Sequence, residues 1–408
     1  MQSALGWTFL SHNALARAEA QLNPDTQGVR DELGFMSLHR AYADRFFPGT
    51  STQQTRLRYV LFIPWIFRKV AEQRAAAQIR GLIEQEEVIL SGRLKKGGQE
   101  GIIGGRTYPR PPSQPASSVY WNALGQWGIL LGHANGDLPN RFQVYRAIRH
   151  YARYKNDSRD DDRQLLEEPP RIFAKLPKPP PEWLQSNAPL TFALTATEAQ
   201  FVRDKFIGIT MPFTNKPALL ARLVQEGVAV SAIAAPWAPE IMALVDNEEQ
   251  QVLQRARQAA AATAVGRAVY AALVEEIRAR EDEMETAQNH REHLFHVIEN
   301  YQGLALSLSV PELLRDQASL PRDLTHLIAE TQSWLASKQV GDVTQLRATY
   351  AAVEYRRKGR RARLPATVAA RERRAEWSPE EHPLASPLDY RWWVVQRLLD
   401  DLQVNSDE

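Results

Sequence analysis

The passage NDSRDDDRQLLEEPPRIFAKLPKPPPEWLQSNAP, from Asn156 to Pro189, constrains the fold most. It is acidic first and proline-rich after, and proline lacks the amide hydrogen and the backbone freedom that a continuous helix requires. Extended, polyproline-like backbone is expected there, which makes the passage the best domain boundary in the sequence. Length agrees, because 408 residues suffice for two or three domains of about 100–200 residues each. The chain divides into an N-terminal helical domain over 1–155, a linker over 156–189 and a C-terminal helical domain over 190–408.

Either side of that passage, the apolar spacing is helical. The N-terminal part reads as a short helix after Ser11, a second over Phe35 to Phe47, and a long helical stretch from Ser51 that Pro64 breaks locally. Thr50, Ser51 or Thr52 can cap that stretch, and Leu57, Leu61, Trp65 and Ile66 fall on one of its faces. Gly, Pro and basic residues between Gly92 and Pro115 predict a loop or short strand. Two helices follow, one from Ser117 or Ser118 and one from Phe142 to Tyr154, and the chain turns back at Arg171 to Leu176. This order fits a winged helix-turn-helix and equally two packed core helices.

Beyond the linker, Thr195 and Glu198 form a capping-box pattern ahead of a helix to Ile207. Helical patterning continues over Asn215 to Glu226, Pro239 to Asp246, Glu248 to Arg280 and Met284 to Tyr301. Ala259 to Ala272 supplies small side chains that allow close helix packing, and Leu388 to Leu402 closes the chain with one apolar face. The fold class is mainly α, multi-domain, with a winged-helix-like element as an option in the N-terminal half.

Cysteine is absent, which removes disulfides, thiolate metal sites and cysteine nucleophiles. A cytoplasmic setting fits, since Met1 to Ala20 lacks a signal-peptide pattern and no run of about 18 apolar residues suggests a membrane span. Catalytic motifs are incomplete throughout. Gly97 to Thr107 resembles a phosphate loop only superficially, because Arg106 stands where the motif needs Lys and Pro109, Pro111 and Pro112 prevent a following helix. A mobile surface loop is the plainer expectation. His290, His293 and His296 recur every third residue, a spacing that lets two imidazoles share a metal but lacks the metalloprotease pattern. The residues favour a non-enzymatic role without a cofactor or a metal.

Charge supplies the positive signal. The net charge is only +2, yet YRRKGRRARLPATVAARERR, from Tyr355 to Arg374, holds nine Lys or Arg against one Glu. Such a tract neutralises several phosphates at once, and Tyr355 and Trp377 flank it as stacking groups. Gly359 and Pro365 predict a helix end, a break near Leu364 to Thr367, and a second helix carrying Arg371, Arg373 and Arg374. The candidate phosphate contacts are Arg356, Arg357, Lys358, Arg360, Arg361, Arg363, Arg371, Arg373 and Arg374, together with Lys95, Lys96 and Arg106 on the glycine-rich loop, where Arg110 also lies. Arg56 and Arg58 are added because they sit at the start of the long helix, though both can instead pair with acids such as Asp31 or Asp44.

Arg30 to Arg68, Pro112 to Leu130, Leu194 to Phe206 and the closing YRWWVVQRLLDDL, from Tyr390 to Leu402, together resemble an uncharacterised prokaryotic family found in anti-phage defence gene clusters. The FPGTST string with the later TRLRY and PWI is its most specific part. The resemblance implies neighbours such as Swi/Snf-type helicases, phospholipase-D-like nucleases and DNA methyltransferases, and it supplies no catalytic residues to carry over. The expectation is a DNA-binding or scaffolding subunit of a defence complex acting with a helicase or nuclease partner. A diverged metal-dependent nuclease and a pure protein adaptor are the alternatives.

Overall fold

A computed structural model describes residues 31–72, 78–132, 137–154, 171–212, 214–285, 288–337 and 342–403. The helix expected after Ser11 lies outside them. In the first half the helices are α1 (Phe35–Phe46), α2 (Tyr59–Glu72), α3 (Ile79–Lys96), α4 (Ala116–Gln126), α5 (Arg141–Tyr154), α6 (Pro181–Leu184), α7 (Ala196–Ile207) and α8 (Leu219–Gln225). Then come α9 (Pro239–Met242), α10 (Asn247–Arg280), α11 (Asn289–Leu306), α12 (Val310–Asp316), α13 (Arg322–Leu335), α14 (Arg347–Lys358), α15 (Val368–Ala375) and α16 (Trp392–Leu402). Among the described residues there is no β-strand, only two isolated antiparallel bridges, Leu130 with Phe173 and Thr210 with Pro217. The protein is mainly α, and no described helix is long and apolar enough to cross a membrane.

The chain forms two compact units, each discontinuous in sequence. One gathers residues up to Leu38, Ala262–Leu306 and Ser319–Ser386; the other gathers His39–Ala261, Ser307–Ala318 and Pro387 onward. The proline-rich residues from 171 on lie inside the second unit, so they are not the boundary that composition suggested. Proline forbids the helix there but not the packing. Trp183 stacks on Phe62 with ring centroids 5.6 Å apart, and Arg93 donates to the carbonyls of Trp183 and Ala188 at 3.2 and 2.9 Å.

In the second unit α2 is apolar on every side as far as Phe67, and Tyr59 to Ile63 and Trp65 to Phe67 are all buried. A helix of that kind belongs in the middle of a core, where each large side chain contributes about 1.5–3 kcal/mol on burial. Helices α3, α4 and α5 all pack on α2. Phe67 is the hub, with Trp121, Tyr145 and Phe173 rings centred 5.4, 5.8 and 5.8 Å away. The pair α4 and α5 therefore reads as packed core helices, and of the winged alternative only the return pairing is present, as the single Leu130–Phe173 bridge. The start of α2 also differs from expectation. Residues 51–58 are not helical; Thr50 Oγ1 donates to the Phe47 carbonyl at 2.7 Å and Ser51 Oγ accepts from the Gln53 amide at 3.4 Å, so these hydroxyls shape the approach to α2 rather than cap it. Pro64 sits inside α2 without ending it.

The glycine-rich loop is anchored. Ile103 donates its amide to Tyr59 Oη at 2.8 Å and accepts from Ser91 Oγ at 2.8 Å, while Gly101 and Gly104 adopt φ of 75° and 80° that other residues resist. The plainer expectation of a mobile loop is thus replaced by a pinned one.

In the first unit the later part of α10 packs through small side chains, as the alanine run predicts. A Cβ on Gly266 would lie 2.5 Å from the Phe35 ring, so glycine is required for that approach. Helices α11 and α13 pack together, as do α13 and α14, and Thr331 and Tyr350 hydroxyls bond at 2.8 Å between the latter pair.

Candidate nucleic-acid interface

The basic tract folds as its breakers dictate. Helix α14 ends at Lys358, Gly359 takes φ 54°, a 3-10 turn covers Gly359–Arg361, and Thr367 Oγ1 caps α15 by accepting from Ala370 at 3.2 Å. Tyr350, Val353, Glu354, Ala362, Leu364 and Ala370 point inward, leaving the cations to the outer side or to buried acids.

Those acids sort the nine cations into two kinds. Arg374 is 3% exposed and grips Asp282 with two nitrogens at 2.6 and 2.8 Å, and it also donates to the carbonyls of Arg363 and Pro365. The hydrogen bonds from Arg374 hold the Asp282 carboxyl below its ordinary range. Lys358 and Arg363 share Glu32 at 3.0 and 3.4 Å. Burial works to raise the Glu32 pKa, but those two cations outweigh it and keep the carboxyl low. Arg357 reaches Asp323 at 3.7 Å, crossing Gly34, where a Cβ would collide with its guanidinium. Arg371 and Arg373 are exposed but face Asp282 and Glu376. What remains is Arg356, Arg360 and Arg361, all exposed and with no acidic partner among the described residues.

The platform beneath them is rigid. Buried Glu354 accepts from Tyr270 Oη at 2.6 Å and from the Leu364 amide at 2.8 Å, tying α14 to α10 and to the turn that follows. Tyr355 is 54% exposed beside the free arginines, whereas Trp377 is buried against His290 and His382 and offers no stacking face.

Residues 2–404 match a family of unknown function, DUF6361. The chain belongs to that family. No curated protein and no solved structure matches it.

In this DUF6361 member the FPGTST segment is structural. Arg58, just after it, is 4% exposed and pairs with Glu198 at 2.8 Å, with a second bond to the Thr191 carbonyl at 2.9 Å. Glu198 does double duty, since its other oxygen accepts from the Thr195 amide at 3.0 Å in the capping box that starts α7. Arg56 binds Asp401 at 2.9 and 3.0 Å and covers the Phe192 ring at 4.8 Å. Both arginines are ion-paired, though with Glu198 and Asp401 rather than Asp31 or Asp44; Asp44 takes Arg391. Arg58 has no surface left for a phosphate. Lys95, Lys96, Arg106 and Arg110 are all exposed, with no acidic partner among the described residues, and the Lys95 ammonium lies 5.6 Å from the Tyr108 ring. Lys95 and Lys96 also sit in the last turn of α3, where cations complement the helix dipole.

The histidines do not converge. His290 and His293 spend Nε2 on the carbonyls of Pro379 and Ala385 at 2.9 and 2.7 Å, and His296 is exposed. No group of three potential metal ligands gathers among the described residues. One exposed pair, Arg146 and Arg149 on α5, escapes a sequence reading that follows the densest cationic run; a charge count restricted to that helix finds it.

Proposed function

We propose that this chain is a DNA-binding subunit that presents nucleic acid to a partner enzyme. The observation that carries the reading is the trio Arg356, Arg360 and Arg361, exposed and unneutralised on a platform whose other cations are matched by acids. Unpaired arginines on a fixed base gain by displacing condensed counterions from phosphates, and guanidinium suits two-pronged phosphate contact. The family resemblance adds a setting, an anti-phage defence complex in which a helicase or a nuclease acts on the DNA held here.

Replacing Arg356, Arg360 and Arg361 with Ala tests this. Duplex binding is followed by fluorescence anisotropy across a salt series. The log-affinity against log-salt slope is expected to become shallower by about 3, at ~0.9 for each phosphate contact removed. A slope unchanged in a folded variant assigns the trio to an acidic protein partner and ends the DNA reading.

A further inference from the structure

Helix α5 carries Arg141, Arg146, Arg149 and Arg153 and no acidic residue. Its N-terminus is set by a reciprocal cap, in which the Asn140 amide donates to Gln143 Oε1 at 2.7 Å and the Gln143 amide donates to Asn140 Oδ1 at 2.9 Å. Val144 and Ile148 are each 1% exposed, and Tyr145 stacks on Phe67, so the apolar side is fully committed to the unit's own core. The opposite side is outward. Phe142, Arg146 and Arg149 stand at i, i+4 and i+7, which places them in one stripe about 10 Å long. Phe142 is 67% exposed, and Arg146 and Arg149 are exposed with no acidic partner among the described residues.

We infer that the outward face of α5, through Arg146, Arg149 and Phe142, is a second nucleic-acid contact, taking the phosphate backbone of a duplex. Charge complementarity selects a polyanion. A membrane surface is disfavoured because a helix that binds lipid inserts a broad apolar face, and here that face is spent on α2 while only Phe142 projects. The width of an α-helix, about 10–12 Å, also suits the major groove, about 12 Å across. Phe142 at the leading end then meets base edges or methyl groups while the arginines hold the flanking phosphates. These residues are separate from those of the basic tract, so either contact can fall alone.

The test uses the full chain with Arg146→Glu/Arg149→Glu and, as a charge-preserving control, Arg146→Lys/Arg149→Lys. Anisotropy with a short labelled duplex across a potassium chloride series is paired with sedimentation on phosphatidylserine vesicles, and circular dichroism and the melting midpoint report folding. The Glu variant is expected to weaken duplex binding roughly tenfold or more and to flatten the salt slope by about 2, while the Lys variant keeps the slope. Unchanged duplex binding by the folded Glu variant overturns the inference, as does loss of vesicle binding with duplex binding intact. If the Glu variant fails to fold, Arg146→Gln/Arg149→Gln decides: a salt slope shallower by about 2 upholds the inference and an unchanged slope overturns it. Loss in the tract variant but not in the α5 variant removes this inference and leaves the proposed function standing; the reverse pattern does the opposite.

Discussion

At the start of α2 and along residues 355–374, the same side chain has opposite fates. Arg58 and Arg56 are held by Glu198 and Asp401, carboxylates contributed by residues far along the chain. In the tract, Arg374 repeats that arrangement with Asp282, yet Arg356, Arg360 and Arg361, earlier in the same tract, meet solvent alone. The lesson is that a run of arginine codes two things. Where the helix turns a residue inward, burial demands a partner acid; where it turns outward, no such demand exists and the charge stays available.

The largest effect expected is from breaking the buried pairs. Arg374→Ala removes the two-pronged partner of buried Asp282 and leaves only exposed Arg371 at 3.7 Å, and Arg58→Ala leaves Glu198 without its salt-bridge partner; a loss of about 3–5 kcal/mol is expected for each by urea denaturation. A loss under about 1 kcal/mol would show that water reaches these pairs and would collapse the contrast with the exposed trio.

A buried acid without a salt-bridge partner sharpens the comparison. Glu87 accepts from the Ser117 amide at 2.6 Å and its hydroxyl at 3.3 Å, and burial pushes its carboxyl from 4.5 up to about 7. Between those values the folded protein holds a proton that the unfolded chain has released, so this group's contribution falls as pH rises through the window. Glu87→Gln should be near neutral at about pH 4.5 and increasingly stabilising towards about pH 7 and above, by up to about 3 kcal/mol. Melting midpoints of both proteins across pH check this, and parallel curves would mean that Glu87 is ionised throughout.

The smallest effect belongs to the free trio. Arg356→Ala, Arg360→Ala and Arg361→Ala together should shift stability by less than about 1 kcal/mol, because solvated charges contribute little to folding. Loss of folded protein would mean that these arginines serve the fold as Arg374 does.

How far the site was legible follows from the same contrast. The break at Gly359, the second helix and the Thr195–Glu198 capping box were all readable, because each depends on neighbours within a turn or two. That Glu198 would also bind Arg58 was not, since nothing near either residue names the other. Arg146 and Arg149 were legible in principle, from a helix with four arginines and no acid, but the more concentrated tract outweighs them in any count along the chain.

By itself the sequence determined the helical character of the protein, its main breaks and the places where cations crowd, for these rest on local backbone preference and composition. Tertiary structure alone decided that the proline-rich stretch packs inside a unit, that the FPGTST hydroxyls shape a turn, and which arginines are neutralised. The reason is physical. A proline or a capping residue acts on the backbone within reach of its own side chain, whereas the pairing of a charge depends on which distant carboxylate the fold brings within about 3 Å.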